Sequence, residues 1–173
     1  MSQTWSKKKN GRPIASDPFS RVDVFAARRA MRDCYLARNR YKAAVNQSNR
    51  RLDWVLAVTL LRVVGHALHK VDARRSPEMK AAIAEAHLGW KANPRQHAIF
   101  HEFIEAERNS ILKEYRLDPG AHLSADTEVE DYLLIGDQAF SPVGTINAAL
   151  EWWEDQLDRI EAKAEAKRNG AKA

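Results

Sequence analysis

Leu52-Asp53-Trp54-Val55-Leu56-Ala57-Val58-Thr59-Leu60-Leu61-Arg62-Val63-Val64-Gly65-His66-Ala67-Leu68-His69-Lys70-Val71 decides the fold. Leu52, Val55, Leu56, Leu60, Val63, Val64, Ala67, Leu68 and Val71 follow one another at helical steps. So wide an apolar face predicts a central, heavily packed helix over about 49–71. The longest apolar run, Trp54 to Leu61, is shorter than the roughly 20 residues that a bilayer requires, and Arg62 ends it.

Reading outward, the polar break Asn46-Gln47-Ser48-Asn49 separates this helix from an earlier one. That first helix is expected from a cap at Asp17 or Ser20 to about Val45, with Val24, Ala27, Met31, Cys34, Tyr35, Tyr41 and Val45 on one stripe. Ser76-Pro77 and Asn93-Pro94 each pair a cap residue with proline at the first helical position, so they predict a third helix to about Trp90 and a fourth to Tyr115. In the fourth, Ile99, Phe103, Ala106, Ile111 and Leu112 are expected inward. Asp118-Pro119-Gly120 and Gly136-Asp137 are turn signals, so 116–141 reads as a short hairpin or an ordered loop. Ser141-Pro142 opens a last helix to about Ala166, with Ile146, Ala149, Leu150, Trp153, Leu157 and Ile160 buried. Short connections between amphipathic helices predict an all-α antiparallel bundle of four to five helices.

Seven glycines and six prolines in 173 residues agree with long helices. One cysteine, Cys34, excludes an internal disulfide, and the polar opening Met1–Arg12 offers no signal-type apolar core. A cytoplasmic protein with no membrane segment is the expectation. The net charge of +5 points to an acidic partner such as nucleic acid. Its location argues against a folded basic patch. Lys7, Lys8, Lys9 and Arg12 lie near one end, Lys167, Arg168 and Lys172 near the other, and 13–166 carries −2. Residues 1–16 and 167–173 therefore read as disordered basic tails around a single domain, 17–166. Within the first tail, Gly11-Arg12-Pro13 resembles the core of a minor-groove AT-hook peptide, without its second basic cluster.

The fourth helix carries Glu105-Ala106-Glu107-Arg108-Asn109-Ser110-Ile111-Leu112-Lys113-Glu114-Tyr115. This resembles the signature of HEPN ribonucleases: arginine, a polar residue such as asparagine, then histidine a few residues on, followed by an acid and tyrosine. Arg108, Asn109, Glu114 and Tyr115 match, and Lys113 stands in the histidine's place. The resemblance extends in outline over 20–115. It implies a helical bundle whose active cleft a second subunit completes, hence a homodimer. Metal-independent RNA cleavage needs an acid and a base, and histidine serves as either near neutral pH. Lysine, with an ordinary pKa of ~10.4, is a poor base. The resemblance therefore implies a non-catalytic or weakly catalytic module that binds RNA or a protein partner, in a microbial defence or mobile-element setting. Arg108, Asn109, Lys113 and Tyr115 would hold phosphate. Arg108, Asn109, Lys113 and His101, which lies seven residues before Arg108, are the candidates for any catalysis. The different-class alternative is a helical scaffold with no nucleic-acid role. A metal-independent ribonuclease toxin is the third reading.

Other features read more plainly. His97, His101 and Glu105 share a stripe, as do His66, His69 and Asp72, and two such sets on facing helices could hold zinc. Without a cysteine among them they read as ordinary satisfied or surface residues, and neither metal nor cofactor is expected. Of Trp152-Trp153, one is expected in the core and the other partly exposed or at a dimer contact. Cys34 reads as a small buried residue.

Overall fold

The computed structural model describes residues 23–114 and 132–171. The stretch 1–16, the cap candidates Asp17 and Ser20, Tyr115, the insertion from 116 to 131 and Lys172 lie outside the described residues. The architecture is an all-α helical bundle with one small hairpin. Helix α1 is Phe25–Ala43, α2 Gln47–Lys70 and α3 Pro77–Ala92. A 3-10 turn, Asp72–Arg74, joins α2 to α3. Helix α4, over 99–114, is wound in three ways: Ile99–Glu105 is π-helical, Ala106–Asn109 α-helical, and Ser110–Glu114 π-helical again. Strands β1 Leu133–Ile135 and β2 Gln138–Phe140 pair antiparallel, and α5 is Pro142–Gly170.

Asn46 caps α2 by accepting from the Asn49 amide at 2.8 Å, which places the start of that helix in the polar break itself. Ser76 and Ser141 cap α3 and α5 in the same way, each ahead of a proline. Asn93-Pro94 works differently. Asn93 ends α3, and the His97 amide returns to the Asn93 and Pro94 carbonyls, so a turn precedes α4. Helix α1 begins at Val24 with no local side-chain cap. Its free amides are met from far along the chain. Asp72 accepts from Ala26 and Ala27 at 3.0 and 2.9 Å, and Glu161 accepts from Val24 at 2.9 Å. Asp23 and Arg75 form an ion pair beside them.

Helices α1 and α2 form an antiparallel hairpin, with Arg40 on Asp53 at 2.9 Å and Tyr41 against Trp54 at the turn end. Helix α5 crosses both and packs on α3, α4 and β2. It runs antiparallel to α1, through Arg28–Asp158, Tyr35–Glu154 and Arg38–Asn147. The predicted stripe of α5 is buried throughout. The helix continues past Ala166 to Gly170, with Lys163 and Lys167 reaching Glu85 on α3 at 2.8 and 3.2 Å.

The inward face of α2 differs from expectation. The buried residues are Asp53, Trp54, Ala57, Val58, Leu61, Val64, Gly65 and Leu68, while Leu52, Leu56, Val63 and Val71 are exposed. The helix carries two apolar stripes, and the stripe containing Trp54 wins because the largest side chain buries the most surface. Gly65 sits where α2 meets α5: a Cβ there would stand 3.2 Å from the Trp153 ring. By length and composition, 47–74 would suffice to cross a membrane. Here it is packed against α1 and α5 along its Trp54 stripe. Two further inward expectations are corrected. Val45 lies just past the end of α1 and is 96% exposed; Leu112 is 65% exposed, the buried apolar side chains of α4 being Phe100, Ile104 and Ile111 together with Phe103, which was expected inward. The hairpin predicted within 116–141 forms at 133–140, with Gly136 at φ 58° opening its two-residue turn.

Candidate functional site

Arg108 and Asn109 occupy the short α-wound stretch of α4, between its two π-wound stretches. The Arg108 guanidinium donates to Asn109 Oδ1 at 2.8 Å, which fixes its direction. Both residues are half-buried and Lys113 is exposed. An α-helix would separate Arg108 and Lys113 by about 140°. The i→i+5 bonding of the π stretch reduces that separation, so the two cations come closer to one face than the plain helical wheel predicts. Glu107 and Ser110, on the same helix, are buried.

His101 has a fixed ring. Its Nε2 lies 3.1 Å from the Trp90 carbonyl, which only accepts, so Nε2 carries the proton. Nδ1 faces Glu105 at 3.6 Å, and Glu105 also meets Arg62 at 3.9 Å. The ring is thus held through Nε2, while the Glu105 carboxylate lies beyond hydrogen-bond distance of Nδ1.

The remaining candidates separate. His97 is buried, and its Nδ1 accepts the Trp152 indole N–H at 3.1 Å. Burial, then the neighbouring His101, pushes the His97 imidazole below the usual histidine range. Asp72 is consumed in capping α1. Among the described residues no group of three His, Cys, Asp or Glu side chains is placed to hold a metal. Trp153 is fully buried, with its indole N–H on the Leu61 carbonyl at 3.0 Å. Trp152 stacks on Phe100 at 5.2 Å, so its polar edge and one ring face are used within the chain. Trp152 is half-buried beside the buried Trp153, the division expected of the pair. Burial pushes the Cys34 thiol up to about 12, which leaves it an inert core residue.

Sequence reasoning missed a second constellation. Arg62, His66, His69 and Lys70 of α2 face His87 of α3 across a cleft floored by Trp90, Phe100 and Trp153. The α2 residues recur at helical steps, a signal visible in the sequence. His87 comes from a different helix, and only the packing of α2 and α3 on α5 brings it near. Against known families, curated proteins and solved structures, the chain has no match.

Proposed function

We propose that this chain is a HEPN-like helical module that binds RNA through Arg108, Asn109 and Lys113 and cuts it poorly or not at all. The observation that supports this most is the pairing of Arg108 with Asn109, with Lys113 exposed one π-turn onward. Such a pair of cations suits a phosphate: the guanidinium offers two parallel donors and the ammonium a point charge. Arginine and lysine side chains are in general poor bases near neutral pH, and the ring of His101, the displaced acid–base candidate, is tied through Nε2 to the Trp90 carbonyl. A dimer that brings two copies of this segment together, in the cytoplasm of a microbe and in a defence or mobile-element role, completes the reading.

Anisotropy of labelled single-stranded RNA tests it. Wild type binds with an affinity that falls as salt rises. Arg108→Ala weakens binding by about tenfold, the loss of one charge-assisted contact. Lys113→His restores the residue of the resembled motif and produces cleavage in EDTA where wild type shows little. Robust wild-type cleavage that disappears in Lys113→Ala would overturn the non-catalytic part, and no RNA binding at low salt would overturn the whole.

A different-class reading has one observation in its favour. Leu52, Leu56 and Val63 lie exposed on the outer face of α2, as on a scaffold helix that takes a protein partner. Absence of RNA binding would favour it.

A further inference from the structure

The cleft between α2 and α3 gathers donors around an apolar floor, in a cavity of about 290 Å³. Arg62, His66, His69 and Lys70 stand at i, i+4, i+7 and i+8 of α2, on one stripe. His87 approaches from α3, its ring 5.0 Å from that of His69 in an edge-to-face pair. The floor is aromatic carbon from Trp90, Phe100 and Trp153, with Gly65 letting α2 close in on the Trp153 ring.

We propose that this cleft binds the phosphoryl group of a phosphate monoester, with Arg62, Lys70, His69 and His87 on its oxygens and the organic body against the aromatic floor. Donors converge from two helices, which suits a tetrahedral anion with three free oxygens. A carboxylate, with two oxygens in a plane, is satisfied by one arginine fork. The cavity exceeds what one anion fills, at about 30 Å³ per displaced water. The floor then has a role that a free ion would leave unused.

The charged surroundings favour an anion. On α2, Arg62, His66 and Lys70 face the imidazole pair; on α3, Lys91; on α4, His101 and the carboxylate of Glu105; α5 contributes only the Trp153 ring. Burial comes first, then the nearby cations, in holding His69 and His87 below the usual histidine range. That favours the neutral imidazole on both, and a bound dianion would draw protons onto them. Binding is accompanied by proton uptake and tightens as pH falls through the histidine range.

Titration of the full chain with phenyl phosphate, inorganic phosphate and sulfate, followed by the imidazole ring resonances, tests the assignment. The expected result is a shift of His69 and His87 with a dissociation constant on the order of 1 mM, weakened about tenfold in Lys70→Ala. Phenyl phosphate is expected to bind more tightly than inorganic phosphate; equal affinity would overturn the monoester in favour of a free anion. Sulfate, whose charge is constant here, is expected to bind more tightly at pH 6 than at pH 8. This site does not rest on the motif reading, so Arg108→Ala is expected to leave it unchanged, and loss of binding in that variant would relocate the anion and overturn the cleft. No shift at about 10 mM of any probe, or equal binding by Lys70→Ala and His87→Gln, would also overturn it.

Discussion

Helices α4 and α5 share one aromatic cluster, Trp90, Phe100, Trp152 and Trp153, yet they are built differently. Helix α5 keeps one winding from Pro142 to Gly170, and its inward positions fall at regular helical steps. Helix α4 changes winding twice within 99–114 and buries Glu107 and Ser110 beside Phe103 and Ile104. An unbroken helix presents one continuous stripe to the core. A π turn shifts the stripe, breaks that continuity, and re-aims the side chains that follow; such turns recur where side chains are used for something other than packing. The difference separates what holds the molecule together from what it offers to a partner.

Substitutions on the two helices are expected to separate in the same way. The largest effect belongs to α5: Trp153→Ala removes a fully buried indole and its bond to Leu61, and is expected to lower stability by about 3–5 kcal/mol in urea denaturation. A loss below about 1 kcal/mol would contradict its place at the centre of the core. Next comes Asp72→Ala, which strands two α1 amides and is expected to lower stability by about 1–3 kcal/mol. Burial raises the Asp72 carboxyl above its ordinary value against the pull of those amides, so part of the loss is offset by no longer burying a charge.

A smaller effect is expected from acid. His97, His69 and His87 have folded-state values below that of an unfolded histidine, ~6.5. The unfolded chain therefore takes up protons first as pH falls below that value. The stability these groups contribute is present above it and is lost as pH drops toward their folded values. A urea midpoint lower at pH 5.5 than at pH 7.5, with tryptophan emission changing as His97 releases Trp152, is the expected outcome; a flat profile would show that the imidazoles accept protons in place. The smallest effect on stability belongs to Arg108→Ala, expected within about 0.5 kcal/mol of wild type while RNA affinity falls. A large destabilisation there would make Arg108 a packing residue and erase the contrast between the helices.

The legibility of these regions in the sequence followed their regularity. The α5 stripe was readable because Ile146, Leu150, Trp153, Leu157 and Ile160 leave one choice of face. In α2 apolar residues surround most of the helix, so periodicity offered two faces, and the packing of Trp54 between Tyr41 and Phe103 made the choice. In α4, Arg108, Asn109 and Lys113 were legible as a motif, but their relative direction depends on a winding that no helical wheel contains. His87 was invisible as a partner of His69, since nothing in the interval between them records that their helices face each other.

The start of α1 has a consequence for how the chain is made. Its Val24 amide waits for Glu161, 137 residues later. At a synthesis rate of roughly 5–20 residues per second, the first helix emerges on the order of ten seconds before the carboxylate that completes it. During that interval α1 and α2 can pair and Asp72 can meet the Ala26 and Ala27 amides, but the Val24 amide stays open to water. Docking of α5 is then what completes the start of α1, which ties the first helix to a side chain made much later.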